Sequence, residues 1–246
     1  MKNILIIGGS SAIAVACARE WVKEGANLFL AGRHETRLEA VAQDLRVRGA
    51  GSVGTYVLDV NDYPQHRPML DACLTAMGRI DIVLLAHGTL SDQSVCERDP
   101  EATVREISTN ALSTIALLTL LACTFEAQKS GSIAVISSVA GDRGRPSNYV
   151  YGTAKAAVTT FCEGLRARLF KFNVKVLTIK PGFVNTPMTA GLPLPGPLVA
   201  TPERVATDIV RAIARGKDSL YTPWFWAQIM FVIRSVPGFV FKRISL

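Results

Sequence analysis

Short apolar runs alternate with longer helical patterns from residue 4 to residue 179 of this chain. The runs predict six strands, at residues 4–7, 27–31, 53–58, 81–85, 132–137 and 174–179. The patterns between them predict helices at 12–24, 35–48, 63–77, 100–127 and 151–172. Strands that alternate with helices of this length are typical of βαβ units, which build a parallel sheet. Because the strands are apolar almost throughout, we expect an α/β fold whose doubly wound parallel sheet is covered by helices on both faces.

Length and composition are those of a single globular domain. The chain has 246 residues, of which 49% are hydrophobic and 19% are charged. These values exclude disordered, collagen-like and coiled-coil proteins. We expect one domain over residues 1–220 and a hydrophobic C-terminal extension over residues 221–246. The apolar run at residues 4–7 is too short for the core of a signal peptide.

The net charge and the cysteines of the chain indicate which ligands and which cellular compartment to expect. The net charge is +7, which favours an acidic ligand such as a phosphorylated cofactor or an anionic membrane. The basic residues are scattered rather than gathered into a stripe, so we expect no binding to nucleic acid. Five cysteines without a CxxC spacing indicate neither a disulfide framework nor a metal site. Free thiols fit a reducing cytoplasm.

Small residues form the turn that follows the first predicted strand. Residues 8–14 are Gly-Gly-Ser-Ser-Ala-Ile-Ala, and such a turn lets backbone N–H groups at a helix N-terminus approach a pyrophosphate. A tight turn without any ligand is the alternative.

At the end of the second strand, Arg33 would attract the 2′-phosphate of an adenosine ribose, whereas an acidic residue would repel it. Arg33 therefore predicts that the chain binds NADP(H) rather than NAD(H). The alternative is a surface arginine that contacts no ligand.

The segment YGTAK at residues 151–155 is the sharpest catalytic signal. Its four-residue step places the phenol of Tyr151 and the ammonium of Lys155 on one helix face, a turn apart. The ammonium would lower the pKa of the phenol, so that Tyr151 exchanges a proton near neutral pH. Ser138, just after the fifth strand, is placed to hydrogen-bond a substrate carbonyl. A chance pair on an exposed helix is the alternative.

Taken in order, these motifs resemble those of the short-chain dehydrogenases/reductases over residues 3–215. The resemblance implies a Rossmann-like fold, a nicotinamide cofactor and chemistry on a carbonyl or hydroxyl group. It implies catalytic roles for Asn110, Ser138, Tyr151 and Lys155. It places contacts with the cofactor at Gly8, Ser10, Ser11, Ala12, Ile13, Arg33, Asp59, Val60, Ala86, Gly88, Tyr151, Lys155, Pro181, Gly182, Val184 and Thr186.

The same resemblance implies a role for each catalytic residue. NADPH would deliver hydride to a carbonyl carbon, Tyr151 would protonate the oxygen, and Ser138 would hold and polarise it. Lys155 would lower the pKa of the tyrosine and bind the nicotinamide ribose. Asn110 would support a water that links the lysine to solvent. The chain departs from the family in the first turn, where alanines replace two glycines, and at residues 85–87, where Leu-Ala-His replaces Asn-Asn-Ala.

The extension over residues 221–246 differs in kind from the rest of the chain. It holds seven of the 18 aromatic residues, and its only charges are Arg234, Lys242 and Arg243. Its longest uncharged run is too short to span a bilayer. Three uses remain open: contact with an anionic membrane surface, a lid over an apolar substrate pocket, or packing on a partner subunit. The extension is also similar to the ends of family members that reduce keto sugars carried on polyprenyl phosphate.

These observations predict an NADPH-dependent reductase, acting reversibly as a dehydrogenase, on the carbonyl of an apolar or lipid-linked ketone. We expect a homodimer or homotetramer, as the resemblance implies. The expected location is the cytoplasm, at the inner face of a membrane if the extension binds there. The alternative function is a sensor or scaffold that binds the dinucleotide without turnover. The altered first turn and the altered segment 85–87 support that alternative.

Overall fold

A sheet of seven parallel strands forms the centre of the molecule in a computed structural model, which describes residues 1–243. The strands of the chain are β1 (Asn3–Ile7), β2 (Asn27–Gly32), β3 (Ser52–Val57), β4 (Ile82–Leu85), β5 (Gly131–Ile136), β6 (Val174–Pro181), β7 (Phe183–Val184), β8 (Val199–Ala200) and β9 (Ser219–Thr222). The order in the central sheet is β3-β2-β1-β4-β5-β6-β9, and β7 pairs with β8 outside it. The predicted α/β fold is confirmed, and each of the six predicted strands ends within two residues of its predicted bounds.

Helices cover both faces of the sheet. They are α1 (Ala12–Val22), α2 (Glu35–Val47), α3 (His66–Met77), α4 (Gln93–Cys96), α5 (Pro100–Ile107), α6 (Ser113–Gln128), α7 (Tyr149–Phe170), α8 (Pro202–Ala214), α9 (Phe225–Ser235) and α10 (Gly238–Phe241). Helices α1, α2 and α8 share one apolar core with the sheet. Helices α3, α6 and α7 share the other. The sheet is therefore doubly wound, as predicted.

The first strand shows why the sequence folds in this way. Ile4 and Ile6 belong to one core and Leu5 and Ile7 to the other, and all four are completely buried. Successive side chains of a strand point to opposite faces of the sheet, so a strand that is apolar at every position packs against both helical layers. Burying each such side chain is worth about 1.5–3 kcal/mol.

The helix predicted at residues 100–127 is interrupted. A π-helical turn, Ser108–Leu112, separates α5 from α6. By length and composition the stretch Pro100–Gln128 could cross a membrane, but its apolar face, which includes Leu117 and Leu121, packs into the second core. Turns of this kind occur frequently at functional sites, and Asn110 lies at the centre of this one.

A seventh strand crosses the domain boundary that the sequence placed between residues 220 and 221. Strand β9 pairs in parallel with β6, so Tyr221 and Thr222 belong to the sheet. The boundary therefore moves to Pro223, and we call residues 223–243 the C-terminal arm. The arm carries α9 and α10. The remainder of the predicted extension, residues 244–246, lies outside the described residues.

The segment between β6 and α8 holds four prolines and is mostly loop, because proline interrupts helices. It contains only β7, β8 and two short 3₁₀ turns. Helix α8 then begins as its sequence indicates. Thr201 is the N-cap and accepts a hydrogen bond from the backbone N–H of Arg204 at 3.3 Å, and Pro202 occupies the first turn.

Candidate active site

The carboxyl ends of β1, β2, β3 and β4 border one groove, the position at which doubly wound sheets bind their ligands. The groove is lined by Gly8, Ser10, Ser11, Gly32, Arg33, His34, Arg37, Leu58, Asp59, Val60, Asn61, Ala86, His87, Gly88, Thr109 and Met188. It therefore gathers the predicted cofactor contacts from the first turn to the fourth strand, except Ala12 and Ile13. Those two residues form the first turn of α1.

Gly8 shapes the floor of this groove. Its φ of +83° is in the left-handed region that favours glycine. A Cβ at this position would also lie 2.5 Å from the backbone N of His87. Ser11 caps α1, and its Oγ accepts a hydrogen bond from the N–H of Ala14 at 3.3 Å. The bare backbone of Gly8 thus brings the α1 N-terminus close to the segment after β4, an arrangement that fits a bound phosphate.

Two exposed arginines line the groove where β2 ends. Arg33 follows that strand, and Arg37 lies one helical turn later in α2. Asp59 lies in the same groove, where its Oδ1 accepts a hydrogen bond from the N–H of Asn61 at 2.9 Å. Arg33 was among the predicted cofactor contacts, whereas Arg37 was not.

His87 acts as a support rather than as a proton carrier. Its Nε2 lies 3.1 Å from Ser113 Oγ and 3.0 Å from Thr114 Oγ1, both on α6. Burial, with smaller effects from Lys155 and His66, lowers the pKa of His87 to about 3. The imidazole is therefore neutral at pH 7, and it fixes the segment after β4 to α6.

Close packing between a turn and α7 brings Ser138 to Tyr151. Ser138 is the N-cap of the 3₁₀ turn Val139–Asp142. A Cβ on Gly141, or on Gly152 of α7, would lie within 2.8 Å of backbone atoms of the facing element. The two glycines therefore allow an approach that larger residues would prevent. Across this contact the Ser138 side chain approaches the Tyr151 hydroxyl closely enough to lower its pKa.

Lys155 lies buried behind this pair, with 4% of its surface exposed. Its Nζ donates to the carbonyl of Ile136 at 3.2 Å and lies 5.6 Å from the centre of the Tyr151 ring. The Ser137 hydroxyl donates to the Lys155 carbonyl at 2.9 Å, which ties α7 to the end of β5. A Cβ on Gly88 would lie 3.5 Å from Nζ, so the ammonium also adjoins the groove.

Burial decides the protonation of both groups. Burial raises the pKa of Tyr151 to about 12. Ser138 acts in the opposite direction, and Glu106 adds to the rise. Burial lowers the pKa of Lys155 to about 8, although Glu106 raises it. From the sequence we expected the lysine to lower the pKa of the phenol, whereas burial raises that pKa in the folded protein. The phenol is protonated at pH 7, which suits a proton donor.

Asn110 is tied to a buried carboxylate that the sequence argument missed. Its Nδ2 donates to Glu106 Oε1 at 2.8 Å, and its Oδ1 accepts from the N–H of Thr89 at 3.1 Å. The Thr89 hydroxyl donates to the other Glu106 oxygen at 2.9 Å. These bonds occupy both ends of the amide and join the π-turn to the segment after β4. The four-residue spacing on a helix between Glu106 and Asn110 was the signal in the sequence.

The remaining predicted contacts lie beyond the end of β6. Pro181 ends the strand, Val184 is buried in β7, and Thr186 caps a 3₁₀ turn. Gly182 is covered by α9, since a Cβ at this position would overlap the indole of Trp226. The C-terminal arm therefore packs against this end of the sheet. The sequence argument did not name Trp226 as a site residue.

A family model described as short chain dehydrogenase matches residues 2–194. The chain belongs to the short-chain dehydrogenase family. This short-chain dehydrogenase is 38% identical over 240 residues to an uncharacterized oxidoreductase of Mycobacterium tuberculosis, covering 98% of this chain and 96% of the relative. It is 34% identical over 245 residues to an uncharacterized oxidoreductase of Streptomyces coelicolor, covering 99% and 96%. It is thus an NAD(P)-dependent oxidoreductase of that family.

Solved structures share the fold of this short-chain dehydrogenase. The actinorhodin polyketide ketoreductase with NADPH superposes with a TM-score of 0.83 at 20% identity, covering 92% of this chain and 97% of that chain. The 3-oxoacyl-[acyl-carrier protein] reductase of Brucella melitensis gives 0.76 at 24% identity, covering 89% and 90%. At these identities the likeness concerns the fold, and the chemistry of this enzyme has to be argued from its own residues.

Proposed function

We propose that this enzyme is an NADPH-dependent reductase that transfers hydride to the carbonyl of an apolar or lipid-linked ketone. The reverse, dehydrogenase direction uses the same groups. The juxtaposition of Ser138 and Tyr151, with the buried Lys155 beside them, carries the proposal. A carbonyl oxygen placed at this pair would find a proton donor and a second hydrogen-bond donor together.

The groove residues fit a nicotinamide dinucleotide. Backbone N–H groups beside Gly8 would hold the pyrophosphate. Asp59 would contact the adenosine, and Thr186 would contact the nicotinamide. Arg33 and Arg37 would pair with a 2′-phosphate, which supports NADP(H) over NAD(H). When bound, the cofactor supplies the hydride.

The chain's own groups would then complete the reaction. Tyr151 holds its proton at pH 7 because burial raises its pKa to about 12, and it donates that proton as negative charge develops on the substrate oxygen. Ser138 donates a hydrogen bond to the same oxygen and fixes its position. Lys155, an ammonium below pH 8, stabilises the phenolate that remains. Asn110 would support a water that links Lys155 to solvent, and the phenolate of Tyr151 would regain its proton along this path.

The C-terminal arm supports an apolar substrate near a membrane. Trp224 is 63% exposed, Phe231 74% and Phe239 67%, and no acidic residue follows Asp218. An aromatic, cationic surface of this kind suits peripheral contact with the anionic inner face of a membrane, reached from the cytoplasm. We include in the proposal a homodimer or homotetramer assembled through the long helices α6 and α7.

The test is NADPH oxidation by the purified enzyme with ketones of increasing chain length, with and without detergent micelles. Tyr151→Phe should bind NADPH with the wild-type Kd and lose turnover by about 10²–10⁴-fold, since it lacks only the transferable proton. Tyr149→Phe, at an exposed position of the same helix, is the matched control and should keep its turnover. Wild-type turnover in Tyr151→Phe would refute the mechanism. Tight NADPH binding without reduction of any ketone would favour the sensor or scaffold.

A further inference from the structure

A third apolar cluster lies beside the catalytic serine, apart from the two cores of the sheet. Its buried members are Val139, Trp226 and Met230. Val139 directly follows Ser138 in the chain, while the other two lie one turn apart on the inner face of α9. Phe183 meets Trp226 edge-on, with the ring centres 5.3 Å apart. The arm therefore places apolar surface against the segment that carries the catalytic serine.

One arginine fastens the far end of α9. Arg143 Nη1 donates to the backbone carbonyls of Ile233, Arg234 and Val236, at 2.6, 3.2 and 2.6 Å. Its guanidinium carbon lies 3.8 Å from the centre of the Phe241 ring. The carbonyls at a helix C-terminus lack partners within the helix, so this contact satisfies them. Because Arg143 lies on the segment between the catalytic serine and tyrosine, it joins that segment to the arm.

The near end of the arm is also fixed. Asp142 accepts hydrogen bonds from Lys180 Nζ and from the Tyr221 hydroxyl, both at 2.6 Å. The side chains of Asp142 and Lys180 are only 2% and 9% exposed. This buried pair ties the serine segment to β6 and β9, just before the arm begins at Pro223. The inner face of α9 is thus placed by polar contacts at both ends.

We propose that α9 closes the substrate side of the catalytic residues and that Trp226, held there by Arg143, limits the size of the ketone substituent that the site accepts. The inference rests on the proposed reductase function. Trp226 is 3% exposed, and its indole N–H finds no hydrogen-bond partner within residues 1–243. Ordinary core packing leaves few buried donors unpaired. The indole nitrogen lies against Gly182, because a Cβ on that glycine would overlap it. Trp226 thus stands between a predicted cofactor contact and the segment of the catalytic serine, where a ketone substituent would meet it.

Trp226→Ala and Trp224→Ala are a matched pair, because the same substitution is made at a buried position of α9 and at the exposed residue just before that helix. The measurement is kcat/KM for a small methyl ketone and for a branched, bulky ketone, without micelles. The ratio of bulky to small should rise roughly tenfold or more in Trp226→Ala, the scale on which pockets discriminate by size. In Trp224→Ala it should stay within about a factor of two. An unchanged ratio in Trp226→Ala would overturn the proposal.

Arg143→Lys separately tests the contact between Arg143 and the C-terminal end of α9. An ammonium cannot reproduce the planar contact with several carbonyls and an aromatic ring, so this variant should shift the ratio in the same direction as Trp226→Ala. If the alanine variant fails to fold, Arg143→Lys and Met230→Ala carry the same test.

Failure of the proposed reductase function can be told apart from failure of this inference. If the wild type reduces no ketone, the affinities of the same two ketones for the NADPH-loaded protein are measured by calorimetry. If Trp226→Ala raises the affinity for the bulky ketone more than that for the small ketone, the proposed role of Trp226 in limiting substituent size is supported. Equal changes for both ketones overturn it.

Discussion

Replacing Lys155 by methionine should stabilise the folded enzyme while removing its turnover. Burial lowers the pKa of this lysine from 10.5 to about 8, and one pKa unit corresponds to about 1.4 kcal/mol. Folding with a charged Lys155 therefore costs about 3 kcal/mol at pH 7. Methionine retains much of the apolar stem but loses the 3.2 Å hydrogen bond to Ile136, worth about 1 kcal/mol. The expected net gain is about 2 kcal/mol in the free energy of unfolding.

This gain has a defined dependence on pH. Below pH 8 the lysine is charged in the folded and unfolded wild type alike, so the full cost of folding applies. Between pH 8 and pH 10.5 the folded protein has released its proton and the unfolded chain has not, so the cost fades as the pH rises. The variant should therefore be more stable than the wild type at pH 7, and this advantage should disappear by about pH 10.5.

Urea unfolding followed by circular dichroism measures this difference. Other groups titrate over the same range, so the quantity to compare at each pH is the difference between variant and wild type. Lys217→Met, at an exposed position, should show no comparable gain. A Lys155→Met protein that is less stable than the wild type at pH 7 would refute the reasoning. So would an advantage that persists unchanged to pH 10.5.

Two further substitutions test the cofactor groove. Gly8→Ala should lower the free energy of unfolding by about 2 kcal/mol or more and weaken NADPH binding. The reason is that the φ of Gly8 is +83° and an added Cβ would meet the backbone of His87. Thermal melting measures the loss of stability, and a fluorescence titration measures the loss of NADPH affinity. Arg33→Ala should raise the Kd for NADPH by about tenfold or more while changing that for NADH little. Equal losses for the two cofactors would remove the argument from the 2′-phosphate.

The six strands could be predicted because each contains an apolar run that is visible in its own residues. A run such as the one in β1 is apolar at every buried position, and that pattern is local. Strand β9 lacks it, since Ser219–Thr222 contains two polar residues and only four positions. Its place in the sheet depends on pairing with β6, some forty residues earlier in the chain. For this reason the boundary that we expected after residue 220 falls inside a strand.

The residues of the candidate site likewise divide into those that a local pattern reveals and those that depend on contacts between distant segments. Tyr151 and Lys155 share one helix, and a fixed spacing in the sequence reveals them. The carboxylate of Glu106 beneath Asn110 depends on a π-turn that the apolar pattern does not show. The contact between Trp226 and Gly182 joins segments that are distant in the chain, so composition alone left a lid, a membrane contact and a subunit contact open. Inner and outer faces of α9 could be told apart only in the folded protein.

The position of β9 at the border of the sheet has a consequence for biosynthesis. A nascent chain that has emerged only to residue 218 already contains β5 and β6, but not β9, which pairs with the other side of β6. During that interval the border of β6 presents unpaired N–H and C=O groups beside apolar side chains, which is the kind of surface that associates with other chains. Ribosome stalling or proteolysis in this region should therefore yield fragments that aggregate or occupy chaperones, even though the dinucleotide groove lies entirely within the part already made.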